Sequence, residues 1–301
     1  MGHLQDKIAI VTGAGRGIGR EHALLMAREG AKVVVNDLGG AEDGSGEDAG
    51  PAHAVADEIV AAGGEAIANG GDVSDYESAQ RIVAETVDAF GRVDIVVNNA
   101  GILRDSVIIN TSAADWQVVI DVNLSGTFLV LQAAARHWRD RSKSGEDVAA
   151  AVVNTSSESG LFANPGQANY ASAKAGVATL TQVAAKELSR YGVRVNAILP
   201  RARTRLTKDI IGDSDPDDRA AFDRWEPGHV SPMVAYLCSP SCEMTGEVFL
   251  VGGSRVQRIR PWEKDTNWIL DNDGRWSLDD LIRAVKEAGA PGRTTADSEA
   301  V

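Results

Sequence analysis

The chain opens with a strand-like run, Lys7-Ile8-Ala9-Ile10-Val11, that feeds directly into Thr12-Gly13-Ala14-Gly15-Arg16-Gly17-Ile18-Gly19. A strand that ends in closely spaced glycines needs a tight turn, and the residues from Gly17 to Glu29 read as the helix leaving it. The usual dinucleotide spacing G-x-G-x-x-G fails here, because Ile18 stands where the third glycine belongs. Gly13, Gly17 and Gly19 give G-x-x-x-G-x-G instead. Such a turn lets the backbone approach a pyrophosphate, whose charge then meets the N-terminus of the following helix.

The rest of the chain repeats the same logic. Short β-branched runs, Ile8–Val11, Lys32–Asn36, Ala66–Asn69, Asp94–Asn98, Ala150–Asn154, Arg194–Ile198 and Val248–Val251, alternate with longer Ala-rich stretches. The latter, Gly17–Glu29, His53–Ala62, Ser74–Phe90, Ala113–Trp138, Ala168–Tyr191 and His229–Leu237, read as helices. Alternation of this kind predicts α/β architecture, a single doubly wound sheet of seven parallel strands with helices on both faces. Three segments interrupt it: the acidic, glycine-rich Leu38–Pro51, a charged connection at Arg139–Asp147, and the long polar Arg201–Gly228. The last follows a strand at its carboxyl end, where open α/β sheets bind ligands, and is expected to be a lid. Residues 1–253 form the expected domain and 254–301 an extension. That extension holds Trp262, Trp268 and Trp276, and is expected to dock through those rings. Ser277-Leu278-Asp279-Asp280 resembles a capping box opening a short helix to Ala288, and from Pro291 the chain is expected to fray.

Charge narrows the partners. A formal charge of -13 opposes nucleic acid and anionic membrane. No run approaches the roughly 20 apolar residues of a membrane span. The amino terminus does not resemble a secretory signal, Glu299-Ala300-Val301 is not a peroxisomal address, and a cytoplasmic protein is expected. Cys238 and Cys242 lack a partner set and read as inert thiols. His3, His22, His53, His137 and His229 are scattered, so no metal is expected.

Candidate chemistry lies in two places. Asp37 ends the second strand, where a carboxylate can accept from the adenosine ribose hydroxyls and would repel a 2′-phosphate. Arg16 inside the turn pulls the other way, but a fixed carboxylate outweighs a flexible arginine, so NAD is expected over NADP. Much later, Tyr170-Ala171-Ser172-Ala173-Lys174 puts a phenol and an ammonium on one helix face. A free tyrosine has a pKa near 10, and a neighbouring cation favours its anion, which makes Tyr170 a candidate acid and base.

These motifs, in this order, resemble the short-chain dehydrogenase/reductase family over about residues 5 to 253. Such a resemblance implies a Rossmann-type fold and a nicotinamide cofactor. It brings in Asn98-Asn99-Ala100-Gly101 after the fourth strand, with Asn99, Ala100 and Gly101 beside the cofactor. Asp72 and Val73 then meet adenine, Ile18 belongs to the pyrophosphate turn, and Pro200 and Thr204 lie near the nicotinamide. It also implies that Ser157 hydrogen-bonds the substrate oxygen, that Lys174 holds the nicotinamide ribose, and that Asn123 maintains a water-linked proton path to the lysine. Ser156 has the wrong spacing for the serine's role.

Closer resemblance is to the (3R)-hydroxyacyl-CoA dehydrogenase domain of multifunctional β-oxidation enzymes, through Val35–Gly40, Asn98–Asp105, Gly166–Tyr170 and the Leu237–Glu243 region. It implies oxidation of a fatty or sterol side-chain 3-hydroxyacyl-CoA. Two residues depart from the pattern: Glu158 replaces a small residue, where its carboxylate would face the pocket, and Arg201 replaces a frequent glycine after Pro200. With Phe162 and Arg203 these are the candidate substrate-pocket residues, and Arg201, Arg203, Arg205 and Lys208 could meet CoA phosphates or pair with nearby carboxylates. A 3-oxoacyl reductase, a general alcohol or steroid dehydrogenase, and a noncatalytic dinucleotide sensor remain open. The resemblance further implies a homodimer or homotetramer built on the Ala113–Trp138 and Ala168–Tyr191 helices.

Overall fold

The protein is described by a computed structural model at residues 2–207, 222–260, 262–264, 268–271 and 274–288. Seven strands, β1 (Ile8–Thr12), β2 (Lys32–Asn36), β3 (Glu65–Asn69), β4 (Ile95–Asn98), β5 (Ala150–Thr155), β6 (Val193–Pro200) and β7 (Val248–Gly252), run parallel in the order 3-2-1-4-5-6-7. Order reverses between β1 and β4, which opens a crevice at their carboxyl ends. Period-two alternation feeds two cores. Ala9 and Val11 of β1 pack on one face with Met26, Val55 and Leu237, whereas Ile10 packs on the other with Ile82, Leu131 and Trp138.

Helices α1 (Gly17–Arg28), α2 (Gly50–Ala61), α3 (Tyr76–Phe90), α4 (Ala113–Ile120), α5 (Gly126–Lys143), α6 (Glu158–Phe162), α7 (Ala168–Leu188) and α8 (Ser231–Cys238) make the crossovers. Between α4 and α5 the run winds through one π-helical turn, Asp121–Ser125. It then continues to Lys143 rather than stopping at Trp138, so the first half of the expected Arg139–Asp147 connection is helical. By length and composition this 113–143 run could cross a membrane, contrary to expectation. Its Val130, Leu131, Ala134 and Trp138 are instead buried against the sheet, and the Trp138 indole donates to Val93 O at 2.8 Å. Both cysteines are free and buried, and burial pushes the Cys238 thiol up to about 12, as suits an unreactive group.

The sheet has eight strands, not seven. β8 (Arg255–Ile259) pairs antiparallel with β7, from Val248↔Ile259 to Gly252↔Arg255. Its Arg-Val-Gln-Arg sequence is exposed and has no apolar face, so nothing in the pattern marks it as a strand. The chain divides into two compact units, Met1–Ile259 and Arg260–Val301, and the sheet thus takes five residues assigned above to the extension. In the second unit, α9 (Leu278–Ala288) begins where expected, with Ser277 Oγ accepting from Asp280 N–H at 3.1 Å. Lys208, the middle half of the expected lid (208–221) and the tail from Pro291 lie outside the described residues.

Candidate active site

The glycine turn at the end of β1 is shaped by contact. Gly13 has φ +62°, and a Cβ there would lie 2.8 Å from Ala100 Cα. A Cβ on Gly19 would lie 2.1 Å from Gly13 O, so only glycine lets α1 start this close to the strand. Gly15, which the spacing pattern passes over, matters as well: its N–H donates to Asp37 Oδ2 at 2.7 Å. Gly39 N–H donates to Asp37 Oδ1 at 2.7 Å, so the carboxylate is held from both sides. The N-cap of α1 is Arg16 with no side-chain cap, and no acid stands in the first turn. That uncapped end fits a diphosphate. Arg16 Nη1 turns to Gly40 O at 3.4 Å. Asn99 Nδ2 braces the turn through Thr12 O and Gly13 O, both at 3.1 Å.

At the carboxyl end of β5 the candidate reacting groups come together. Lys174 is buried, its Nζ donates to Thr155 O at 2.9 Å, and it lies 5.5 Å from the Tyr170 ring centre. Burial lowers Lys174 to about 8. The Tyr170 phenol is not depressed in the way its spacing from Lys174 led us to expect. Burial pushes it up to about 12, opposed by a hydrogen bond with Ser157 and reinforced by the charge of Asp105. Ser157 Oγ also accepts from Ser159 N–H at 3.2 Å. Ser156 also lines the cavity, but its hydroxyl donates to Lys174 O at 2.7 Å, which sets it apart from Ser157. Asn123 sits in the π turn, where its Nδ2 donates to Ile102 O and Val119 O, both at 3.0 Å. Its buried Oδ1 has no partner among the described residues. The point a Gly101 side chain would fill is 2.7 Å from that oxygen and 3.6 Å from Lys174 Nζ.

A cavity of about 360 Å³ joins these regions. Its lining includes the whole expected cofactor set, from Gly13, Arg16, Gly17, Ile18 and Gly19 through Asp37, Asp72 and Val73 to Asn99, Ala100, Gly101, Pro200 and Thr204. Ser157, Tyr170 and Lys174 line it too, while Asn123 does not, its Oδ1 lying behind the lining residue Gly101. The candidate substrate residues are placed differently. Among the described lining residues, Glu158, Phe162, Arg201 and Arg203 do not occur. Glu158 pairs with Arg201 instead of facing the cavity, Arg203 Nη1 pairs with Asp223 Oδ2 at 2.5 Å, and Phe162 is exposed. Ser159, Asn164 and Gln167 line the cavity in their stead. Gln167 Nε2 donates to Asp105 Oδ2 at 2.7 Å, while its Oε1 accepts from Ser159 Oγ at 2.7 Å. Because a carboxylate only accepts, Asp105 fixes which way that amide points.

A short chain dehydrogenase family profile matches residues 7–212. Hydroxyacyl-CoA dehydrogenase ChsB1 of Mycobacterium tuberculosis is 43% identical over 291 residues, which cover 94% of this chain and 89% of that protein. Peroxisomal multifunctional enzyme type 2 of Drosophila melanogaster is 45% identical over 278 residues, 92% of this chain but 43% of that longer protein. The crystal structure of a short chain dehydrogenase from Mycobacterium avium is similar with a TM-score of 0.84 at 44% identity, covering 95% of this chain and 96% of that one.

Proposed function

Because the chain belongs to the short-chain dehydrogenase family, we propose that it interconverts a secondary alcohol and a ketone on a fatty or sterol side-chain 3-hydroxyacyl-CoA, with NAD as cofactor. The convergence of Tyr170, Ser157 and Lys174 on one dinucleotide-sized cavity carries the reading. When bound, the nicotinamide exchanges hydride with the carbinol carbon and, in its oxidised form, adds positive charge beside the phenol. Tyr170 then takes the hydroxyl proton in oxidation or returns it to a carbonyl in reduction. With one lone pair of Ser157 Oγ occupied by Ser159 N–H, its own proton is available to the substrate oxygen. Lys174 stays cationic at neutral pH, and a water between it and Asn123 Oδ1 would carry protons away from the phenol.

Asp37 supports NAD over NADP. A carboxylate pinned by two backbone N–H groups cannot swing clear of a 2′-phosphate, and Arg16 is turned to Gly40 O. The acyl-CoA substrate is carried over from the similar enzymes. A 3-oxoacyl reductase is the second reading, favoured by the raised Tyr170 pKa, since a protonated phenol is ready to act as the acid. A homodimer or homotetramer through α4, α5 and α7 completes the proposal.

The test is NADH formation from (3R)- and (3S)-hydroxyacyl-CoA of several chain lengths, beside free secondary alcohols and steroids. Turnover of one CoA stereoisomer is expected, and Tyr170→Phe should lower it by about 10²- to 10⁴-fold while dinucleotide binding persists. Turnover of free alcohols alone would remove CoA from the reading. A Tyr170→Phe variant with more than a few per cent of wild-type rate would remove its base.

A further inference from the structure

The two departures from the family pattern meet each other. Arg201 Nε donates to Glu158 Oε2 at 2.6 Å, and its Nη2 donates to Oε1 at 2.7 Å, a two-bond fork that fixes direction as well as distance. Glu158 is the first residue of α6, and Arg201 directly follows β6. The arginine end is rigid. Its N–H donates to Val251 O at 2.8 Å. It also passes so close to β7 that a Cβ on Gly252 would sit 2.6 Å from both its Cβ and its carbonyl oxygen.

The other end is α6, five residues long and too short to hold itself. On its far side a Cβ at Gly160 would meet Ala175 N at 2.6 Å and the Lys174 carbonyl carbon at 2.7 Å. Thus α6 is gripped between the guanidinium of Arg201 and the backbone of α7 beside Lys174. Its N-cap is Ser157, which lines the same cavity as Tyr170. Ser157 and Ser159 line the cavity on one side of the fork, and Pro200 and Ala202 on the other, but the forked side chains do not.

We infer that Glu158 and Arg201 are a positioning pair that holds α6, and with it the Ser157 hydroxyl, against the Tyr170 phenol. This rests on reading Ser157 and Tyr170 as the reacting pair. Each side chain is 31% exposed, so the fork adds little to the stability of the whole protein, and its effect belongs in turnover. Misplacing a reacting group costs rate without weakening the binding of a cofactor held elsewhere in the cavity.

The test is a double-mutant cycle of Glu158→Gln and Arg201→Gln, using the alcohol that the wild-type chain oxidises fastest. It is read in kcat, in KM, and in the NAD dissociation constant by fluorescence titration, with Tyr170→Phe in parallel. Glu158→Gln should lower kcat about tenfold and leave NAD binding within about twofold. In a chain already carrying Arg201→Gln it should cost nothing further. Full kcat in Glu158→Gln, losses that multiply in the double variant, or a loss confined to NAD binding would each overturn the pair. Turnover surviving in Tyr170→Phe would overturn the reading of the site and the pair with it. An inactive Tyr170→Phe beside a fully active Glu158→Gln would overturn the pair alone.

Discussion

Tyr170 keeps its proton at neutral pH, because burial holds the phenol near 12 and the Asp105 charge adds to that. Alcohol oxidation needs the deprotonated phenol, so its rate should climb as pH rises, whereas reduction should not. Asp105→Asn removes the charge yet leaves an oxygen that can accept from Gln167 Nε2. The phenol pKa then falls, and the rising limb of kcat/KM against pH for oxidation moves to lower pH. An unmoved limb would mean that Asp105 does not act on Tyr170. His22 gives a second pH effect. It is buried with Nδ1 2.8 Å from Ser231 Oγ, and burial lowers its pKa to about 3. Folded His22 therefore stays neutral while the unfolded chain takes up the proton below 6.5, so stability is lost as pH falls from there toward 3. Urea midpoints at pH 7 and pH 5 should differ less in His22→Gln than in the unaltered chain. Among single residues, the Tyr170–Lys174 pair and the glycine turn were legible because their partners are near in sequence. The Asp105–Gln167 bond, 62 residues apart, and the Glu158–Arg201 fork, 43 apart, were not, since only the fold brings them together.

At the scale of elements, the central parallel strands were readable because both of their faces are buried, which leaves continuous apolar runs such as Ile8–Val11. β8 was hidden by the opposite condition. Its first four residues are exposed, and its backbone bonds to β7, with the Arg258–Glu247 fork at 2.6 and 2.7 Å, make it a strand. α6 is too short for a 3.6-residue period to register, and the π turn Asp121–Ser125 holds no glycine or proline to mark a break in the helix. β8 contributes Ile259 to a small cluster with Leu199, Val248 and Leu250. A chain ended after Gly253 should therefore lose stability relative to one ended after Ile259, on the order of 1 kcal/mol for the partly buried isoleucine. Thermal midpoints of the two truncations check this, and equal midpoints would make β8 an ornament of the sheet rather than its edge.

For the whole molecule, charge and apolar surface oppose each other. A net charge of -13 makes two copies repel, yet α4, α5 and α7 expose Trp116 at 41%, Phe128 at 41% and Val183 at 45%. Single exposed apolar residues are ordinary, but these stand on the helices through which a dimer is proposed, so they are the natural contacts of a second copy. If apolar contact offsets repulsion, association should tighten as salt screens the charge; an interface built on ion pairs would loosen instead. Light scattering at micromolar concentration should give at least two copies per particle, more firmly held at high salt. Phe128→Glu places a further negative charge on that surface and should shift the particle toward one copy, while NAD binding stays intact, because Phe128 does not line the cavity. A monomeric wild-type chain, or a Phe128→Glu variant that assembles as before, would take these helices out of the interface.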